Sequence, residues 1–279
     1  MRLIHTLLFL LRANRLEEDL KLADACLRSL EKSAYNTVVV YNQGFYSNDQ
    51  LRDYLSEYNL ETIVLGEGVN AGTSAGRQSC FRYIWEHRPD TEFISEIHLD
   101  MIFSGNWEDK LIDYLAANDE SMISCGIVDQ KGNMPFAGKS TAMPAGGQIT
   151  DDFLHSLQED RIIRGFTNPC IHVSEVLKET GGYDTHFLRG KQCFEDDSML
   201  LGYYYYYGTR AAWHPKINLN AVVYHAVAGQ RLGVYDDTLV NFNGLVKQYG
   251  AMGLKHLSGL HESQWHRWFF LKKYTDIIG

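Results

Sequence analysis

The segment Thr37–Leu65, TVVVYNQGFYSNDQLRDYLSEYNLETIVL, sets two apolar runs on either side of a helical pattern. TVVVY (Thr37–Tyr41) is short, β-branched and bounded by Asn36 and Asn42, which marks a buried strand. DQLRDYLSEY (Asp49–Tyr58) is helical, and ETIVL (Glu61–Leu65) is a strand again. Such an order makes a crossover unit, in which the helix carries the chain back to begin a parallel strand.

The same alternation extends in both directions. MRLIHTLLFLLR has the basic start and apolar run of a signal peptide, but lacks a small-residue cleavage site, contains His5 and is too short to span a bilayer. Leu3–Leu11 therefore reads as a first buried strand. Leu16, Leu20, Ala23, Leu27 and Leu30 recur at helical spacing behind it. Downstream follow a helix (Thr73–His87), a strand (Thr91–Leu99), a helix (Trp107–Ala117) and a strand (Ser121–Val128). This pattern predicts an α/β fold with a mostly parallel central sheet flanked by helices, and ligands at the carboxyl ends of its strands. Asp129–Gln148 is a Gly/Pro-rich loop. The second half holds a helix near Ser174–Thr180 stopped by Gly181-Gly182, an acidic stretch, a strand (Ile217–His225) and a helical tail.

Composition narrows the partners. The 279 residues are 45% hydrophobic and 22% charged, ordinary for a globular chain, and the formal net charge of -9 argues against nucleic acid. Five scattered cysteines without a C-x-x-C fit reduced thiols in a cytoplasmic protein, with peripheral attachment to a membrane left open.

Polar residues collect at the predicted strand ends. Arg12-Ala13-Asn14 follows the first, and Tyr41-Asn42-Gln43-Gly44 the second. LGEGVNAGTSAGRQ follows the third and feeds a helix N-terminus that would favour phosphate, with Arg77 adding a fixed charge. Its GEGVNA also meets the loose dinucleotide fingerprint at Gly66, Gly68 and Ala71. In SEIHLDMIF a period of two puts Glu96, His98 and Asp100 on one face. Asp100 with His98, and His225 closing VVYH, could ligate a divalent ion. In CFEDDSMLLGYYYYYG, three adjacent acids precede five tyrosines. A helix starting near Asp196 and stopping at Gly208 would turn Tyr203, Tyr206 and Tyr207 inward as scaffold.

Taken in order, these motifs resemble a family 2 glycosyltransferase of the GT-A fold, from about Leu7 to Arg231. The resemblance rests on Asn70, Gly72 and Arg77 at the helix start, on HLDM, on ETGGYDTHF, and on FEDDSMLLGYYYYYG with VVYH behind it. It implies one domain over 1–279: a nucleotide-sugar half (1–128), an acceptor and catalytic half (129–231) and a helical tail (232–279). It further implies Mn²⁺ or Mg²⁺ on Asp100 and His225 and Asp196 as the base; of the neighbouring acids, Glu195 reads as a partner that positions the acceptor and Asp197 as a dispensable, cap-like residue. Arg12, Asn14, Asn42, Asn70, Gly72, Arg77 and His98 would surround the donor, a nucleotide-diphosphate sugar with UDP first in line. The acceptor would be a glycan, a lipid-linked molecule or a protein, and transfer would be inverting and non-processive.

The chain departs from the family at two places. The usual Asp-x-Asp is His98-Leu99-Asp100, one carboxylate short, and Tyr41-Asn42 stands where an Asp is usual. QWHRW (Gln264–Trp268) matches a pattern of processive synthases but lies far beyond His225, and it reads as an aromatic helix face. Two rivals remain: a nicotinamide-dependent oxidoreductase resting on GEGVNA, and a binding domain without catalysis motivated by the missing carboxylate.

Overall fold

A computed structural model describes residues 2–208, 213–226 and 235–279, the side chains of 235 and 236 excepted. Strand β1 (Leu3–Phe9) runs through a 3-10 turn (Ala13–Arg15) into α1 (Leu16–Leu30), then β2 (Thr37–Asn42), α2 (Asn48–Leu55), β3 (Glu61–Leu65), α3 (Thr73–His87) and β4 (Phe93–Ile97). The chain continues with β5 (Met101–Ile102), α4 (Asp109–Ala117) and β6 (Met122–Val128). The Gly/Pro-rich loop carries a small hairpin, β7 (Asn133–Met134) with β8 (Lys139–Ser140). Then come α5 (Asp151–Ser156), β9 (Ile162–Arg164), β10 (Cys170–Val173), α6 (Ser174–Thr180), α7 (Glu195–Tyr207), β11 (Lys216–His225), α8 (Tyr235–Leu260, kinked at Gly250) and α9 (Gln264–Ile278). The sequence boundary at residue 231, Arg231, lies outside the described residues.

Among the described residues one sheet has the order β3-β2-β1-β4-β10-β6-β11-β5, with β9 beside β11. The first four strands are parallel, as the alternation predicts. β10 then enters antiparallel to both β4 and β6, and β11 pairs parallel with β6 but antiparallel with β5 and β9. The sheet is therefore mixed, which corrects the expectation of a mostly parallel one. The cause is Cys-Ile-His-Val, a run of four between Pro169 and the helix at Ser174, too short to show a period. Burial of Cys170, Ile171 and His172 holds it in the sheet centre.

Alternation along the strands divides the core. Leu3, Leu7 and Phe9 of β1 join Val38 and Val40 of β2 under α1, α2 and α4, where Ala23, Leu27, Leu51, Leu55 and Leu111 are sealed from solvent. Ile4 and Val39 point the other way, onto Phe81 and Ile84 of α3 and the aromatic interior beneath α7, α8 and α9. Each fully buried leucine here stabilises the fold by roughly 1.5–3 kcal/mol. Ser47 and Gln50 start α2 with a capping box, each side chain bonding the other's backbone. Gly181 in a left-handed conformation ends α6.

The GEGVNA turn joins β3 to α3 at the sheet edge, with Gly66 and Gly68 at φ 83 and 72 to make the bend. A dinucleotide fingerprint would open the first helix after the central strand. Its place in the topology removes the main support for the oxidoreductase rival.

Candidate active site

Where β4 ends, His98 and Asp100 meet His225, the last residue of β11. Pairing of His225 with Met101 in β5 brings the two segments together, and the Ala226 amide donates to the Asp100 carbonyl at 2.9 Å. His225 Nε2 lies 3.4 Å from an Asp100 carboxylate oxygen, and the His98 and His225 rings are 5.4 Å apart at 74°. One ligand atom from each of the three falls within 4.8 Å of the others. Burial, then His225 and Arg77, push the His98 imidazole well below its ordinary pKa, so it stands as a neutral donor. Two imidazoles and a carboxylate fit a divalent ion of the Mn²⁺ type.

These residues line a cleft of about 720 Å³ together with the N-terminus of α7. Two consecutive non-glycine residues, Cys193 (φ 77) and Phe194 (φ 62), take left-handed conformations just before the acids. Such strain costs on the order of 1–3 kcal/mol per residue and persists only where surroundings enforce it. Here Asn241 enforces it, donating to the carbonyls of Gln192 and Cys193 at 3.3 and 2.9 Å and accepting from the Gly190 amide at 2.6 Å.

Glu195 and Asp196 open the helix, one residue earlier than the sequence suggests. Burial, then repulsion from Asp196 and Asp197, raises the Glu195 carboxyl. Burial, then the charges of Glu96 and Asp197, raises Asp196, against a weak amide contact from Asn168 Nδ2 at 3.4 Å. Glu195 Oε2 is buried with no hydrogen-bond partner among the described residues. Asp197 is not free: His261 Nε2 sits 2.7 Å from its carboxylate.

The predicted donor residues divide. Asn70 and His98 line the cleft, together with Gln43 and Thr73. Gly72 sits at φ 90, where a Cβ would come within 3.0 Å of the Gly190 oxygen and of Lys191 Cα. The expected phosphate position at the start of α3 is taken by protein, since the Lys191 carbonyl accepts from the Thr73 amide at 2.8 Å.

Arg77 is a correction. It is completely buried, donating to the Thr6 and Ile97 carbonyls, with Nε 3.3 Å from Glu96. It braces β1 against β4 and does not reach the cleft. Asn42 is also spent internally, on Tyr46, Asn48 and the Gly44 amide. Arg12 is clamped on Asp19 at 2.6 Å, and Asn14 is exposed on the 3-10 turn away from the cleft.

Glu96 and Tyr183, which also line the cleft, belong to a network that no local sequence signal marks. Glu96 accepts from the Tyr183 hydroxyl at 2.9 Å and meets His172 Nε2 at 3.0 Å. Burial alone would raise its pKa, but His172, Arg77 and Tyr183 more than offset this and hold it lowered. With Nε2 donating, His172 Nδ1 accepts from Tyr203 at 2.7 Å. Glu96, Cys170 and His172 also have metal-ligand spacing, but Arg77 already neutralises the carboxylate there.

Tyr203 thus ties α7 to the sheet, and Tyr207 packs inward beside it. Tyr206 is a further correction: it is 43% exposed, because a helical step of four from Tyr203 reaches Tyr207 instead. QWHRW proves closer to the site than its sequence position implies, since Trp265 and His266 line the cleft with Phe269 and Phe270.

No protein-family model matches the chain, and no curated relative matches it. Solved structures do. A crystal structure of S. aureus TarS is 13% identical with a TM-score of 0.55, and the match covers 99% of this chain and 43% of that one. TarS with UDP-GlcNAc gives 15% identity, TM-score 0.54 and coverage of 99% and 72%; TarS with UDP gives 13%, 0.54, 93% and 70%. The chain thus spans less than half of the longest of these. At such identities the likeness is one of fold, and the fold is the one these TarS structures share.

Proposed function

We propose that this chain moves a sugar from a nucleotide-diphosphate donor, in first place a UDP-sugar, to an acceptor hydroxyl, with inversion and without processivity. One observation carries the reading: a single cleft presents the His98–Asp100–His225 trio on one wall and two carboxyls of raised proton affinity on another. A binding domain has no need of a strained backbone turn that delivers a carboxylate pair.

In this mechanism the acceptor hydroxyl approaches Asp196, whose elevated pKa matches a general base better than an ordinary carboxylate would. Glu195 Oε2, without a hydrogen-bond partner among the described residues, accepts a second acceptor hydroxyl and orients it. The oxygen displaces the nucleoside diphosphate directly, so the anomeric carbon inverts and Asp196 keeps the proton. His98, Asp100 and His225 would hold Mn²⁺ or Mg²⁺, which when bound supplies positive charge to the diphosphate. Asn70 faces the nucleotide, while Gln43 and Thr73 shape this end of the cleft through their bonds to Gly72, Ala71 and Lys191. With Arg77 committed to the core, Lys191 takes over as a cation at this end of the cleft.

The test is UDP release from UDP-GlcNAc and other UDP-sugars with and without Mn²⁺, alongside UDP binding by calorimetry. Absence of any nucleotide binding would sink the reading. The lone carboxylate at the strand end favours a second reading, nucleotide binding without turnover, and that outcome would select it.

A further inference from the structure

Three aromatic rings run outward from the catalytic turn. Phe194, the residue before Glu195, stacks on Phe269 of α9 at 6.2 Å and 20°. Phe269 stacks on Trp265 at 5.3 Å and 12°. The rings are close to parallel, so they form one column whose inner end is anchored beside the acids. The outer end is different: Trp265 lines the cleft yet is 61% exposed. His266 meets it only edge-on, at 88°, which fixes the indole plane without covering its open side.

A flat, fixed, half-solvated aromatic face suits a flat ligand that is polar at its rim and apolar on its faces. Elsewhere in the same cleft, Glu195 Oε2 is buried without a hydrogen-bond partner among the described residues and calls for a hydroxyl donor. A pyranose ring satisfies both demands: its axial C–H face packs on an indole and its equatorial hydroxyls donate to carboxylates. An acyl chain would leave Glu195 unsatisfied, and a peptide has no comparable hydroxyl density.

We propose that the outer face of Trp265 is the acceptor subsite and that the acceptor is a carbohydrate, one of whose rings extends the Phe194–Phe269–Trp265 column. This rests on the transferase reading of the cleft and narrows its acceptor from three classes to one. Trp265 is a specificity-determining residue here. Trp268, equally exposed but outside the cleft, is the matched control.

The experiment uses the full chain with UDP and Mn²⁺ on a panel of immobilised neutral and acidic oligosaccharides, with phosphatidylcholine/phosphatidylglycerol vesicles as a separate arm. Native protein should retain at least one saccharide. Trp265→Ala should weaken that retention about tenfold or more, as truncation of a stacking tryptophan does. Trp265→Phe should recover most of it, and Trp268→Ala should leave it as it was. UDP affinity and circular dichroism, taken on the same samples, check the donor end and the fold. If the protein binds UDP but no saccharide, or binds one equally with and without Trp265, or prefers the vesicles, the carbohydrate subsite is rejected. If it binds no UDP at all, the failure lies with the transferase reading instead.

Discussion

His261 Nε2 lies 2.7 Å from an Asp197 carboxylate oxygen, which fastens the segment between α8 and α9 to the first turn of α7. The imidazole is itself stacked on His266 and Phe270, at 4.9 and 5.3 Å. Asp197, expected from the sequence to be dispensable, is therefore an anchor for the helix that walls the cleft.

Removing that anchor should show in two readouts. Asp197→Ala should lower unfolding free energy by about 1–3 kcal/mol, the usual cost of stranding a half-buried polar partner. It should also raise the acceptor KM more than the donor KM, because α9 faces the acceptor end. Denaturant unfolding and two-substrate kinetics measure both. Native values in each would make the contact incidental.

Asp196→Asn should cut sugar transfer by roughly 10²–10⁴-fold while UDP affinity stays close to native. Glu195→Gln should be milder and fall mainly on the acceptor side. Retained transfer in Asp196→Asn would remove Asp196 from the base role.

The same two carboxyls link activity to stability in opposite senses. Their native pKa values are raised by burial and by neighbouring acids. Between the ordinary carboxylate range and those raised values the folded chain binds more protons than the unfolded one, so stability falls as pH rises through that window. Activity should climb across the same window, since the base must be ionised. Thermal melts and rate profiles over one pH series test this. Asp196→Asn should lose part of the alkaline fall in stability.

Arg77→Met should destabilise by about 3–5 kcal/mol, because it leaves Glu96 charged and buried without its cation. Arg77→Lys should not rescue, since an ammonium cannot reach Thr6, Ile97 and Glu96 together. In whatever protein remains folded, UDP affinity should be near native. A selective loss of nucleotide binding with full stability would return Arg77 to the donor site.

Asp100→Ala or His225→Ala should abolish any tightening of UDP binding by Mn²⁺ without unfolding the chain. Calorimetric titrations with Mn²⁺ and with EDTA decide this. Indifference of the native protein to EDTA would dismiss the trio as a cation site.

What the sequence showed and what it hid follow from the range of the interactions. β2, α3 and β11 are legible because runs of β-branched residues and helical periods are local signals. Glu195 and Asp196 were legible as crowded acids before a helix. β10 was not, because four residues carry no period and its two neighbours are distant in the chain. Arg77 looked like a ligand for phosphate because nothing local shows that Glu96 lies beneath it. The place of Trp265 is not legible, because sequence distance from His225 says nothing about a helix that returns to the cleft.

The turn that places Gly72 against Gly190 and Lys191 has a consequence in time. Gln43 and Asn70 emerge early in synthesis, the acids much later, and Trp265 later still, yet all line one cavity. Strands β1, β2 and β3 pair in parallel with near neighbours, so that part of the sheet can form while the chain is still being made. The Thr73–Lys191 contact, the His225–Asp100 approach and the docking of α9 all require closure over long stretches, which is the slow kind. A nascent chain thus passes through an interval in which it holds Gln43 and Asn70 but not the complete cleft.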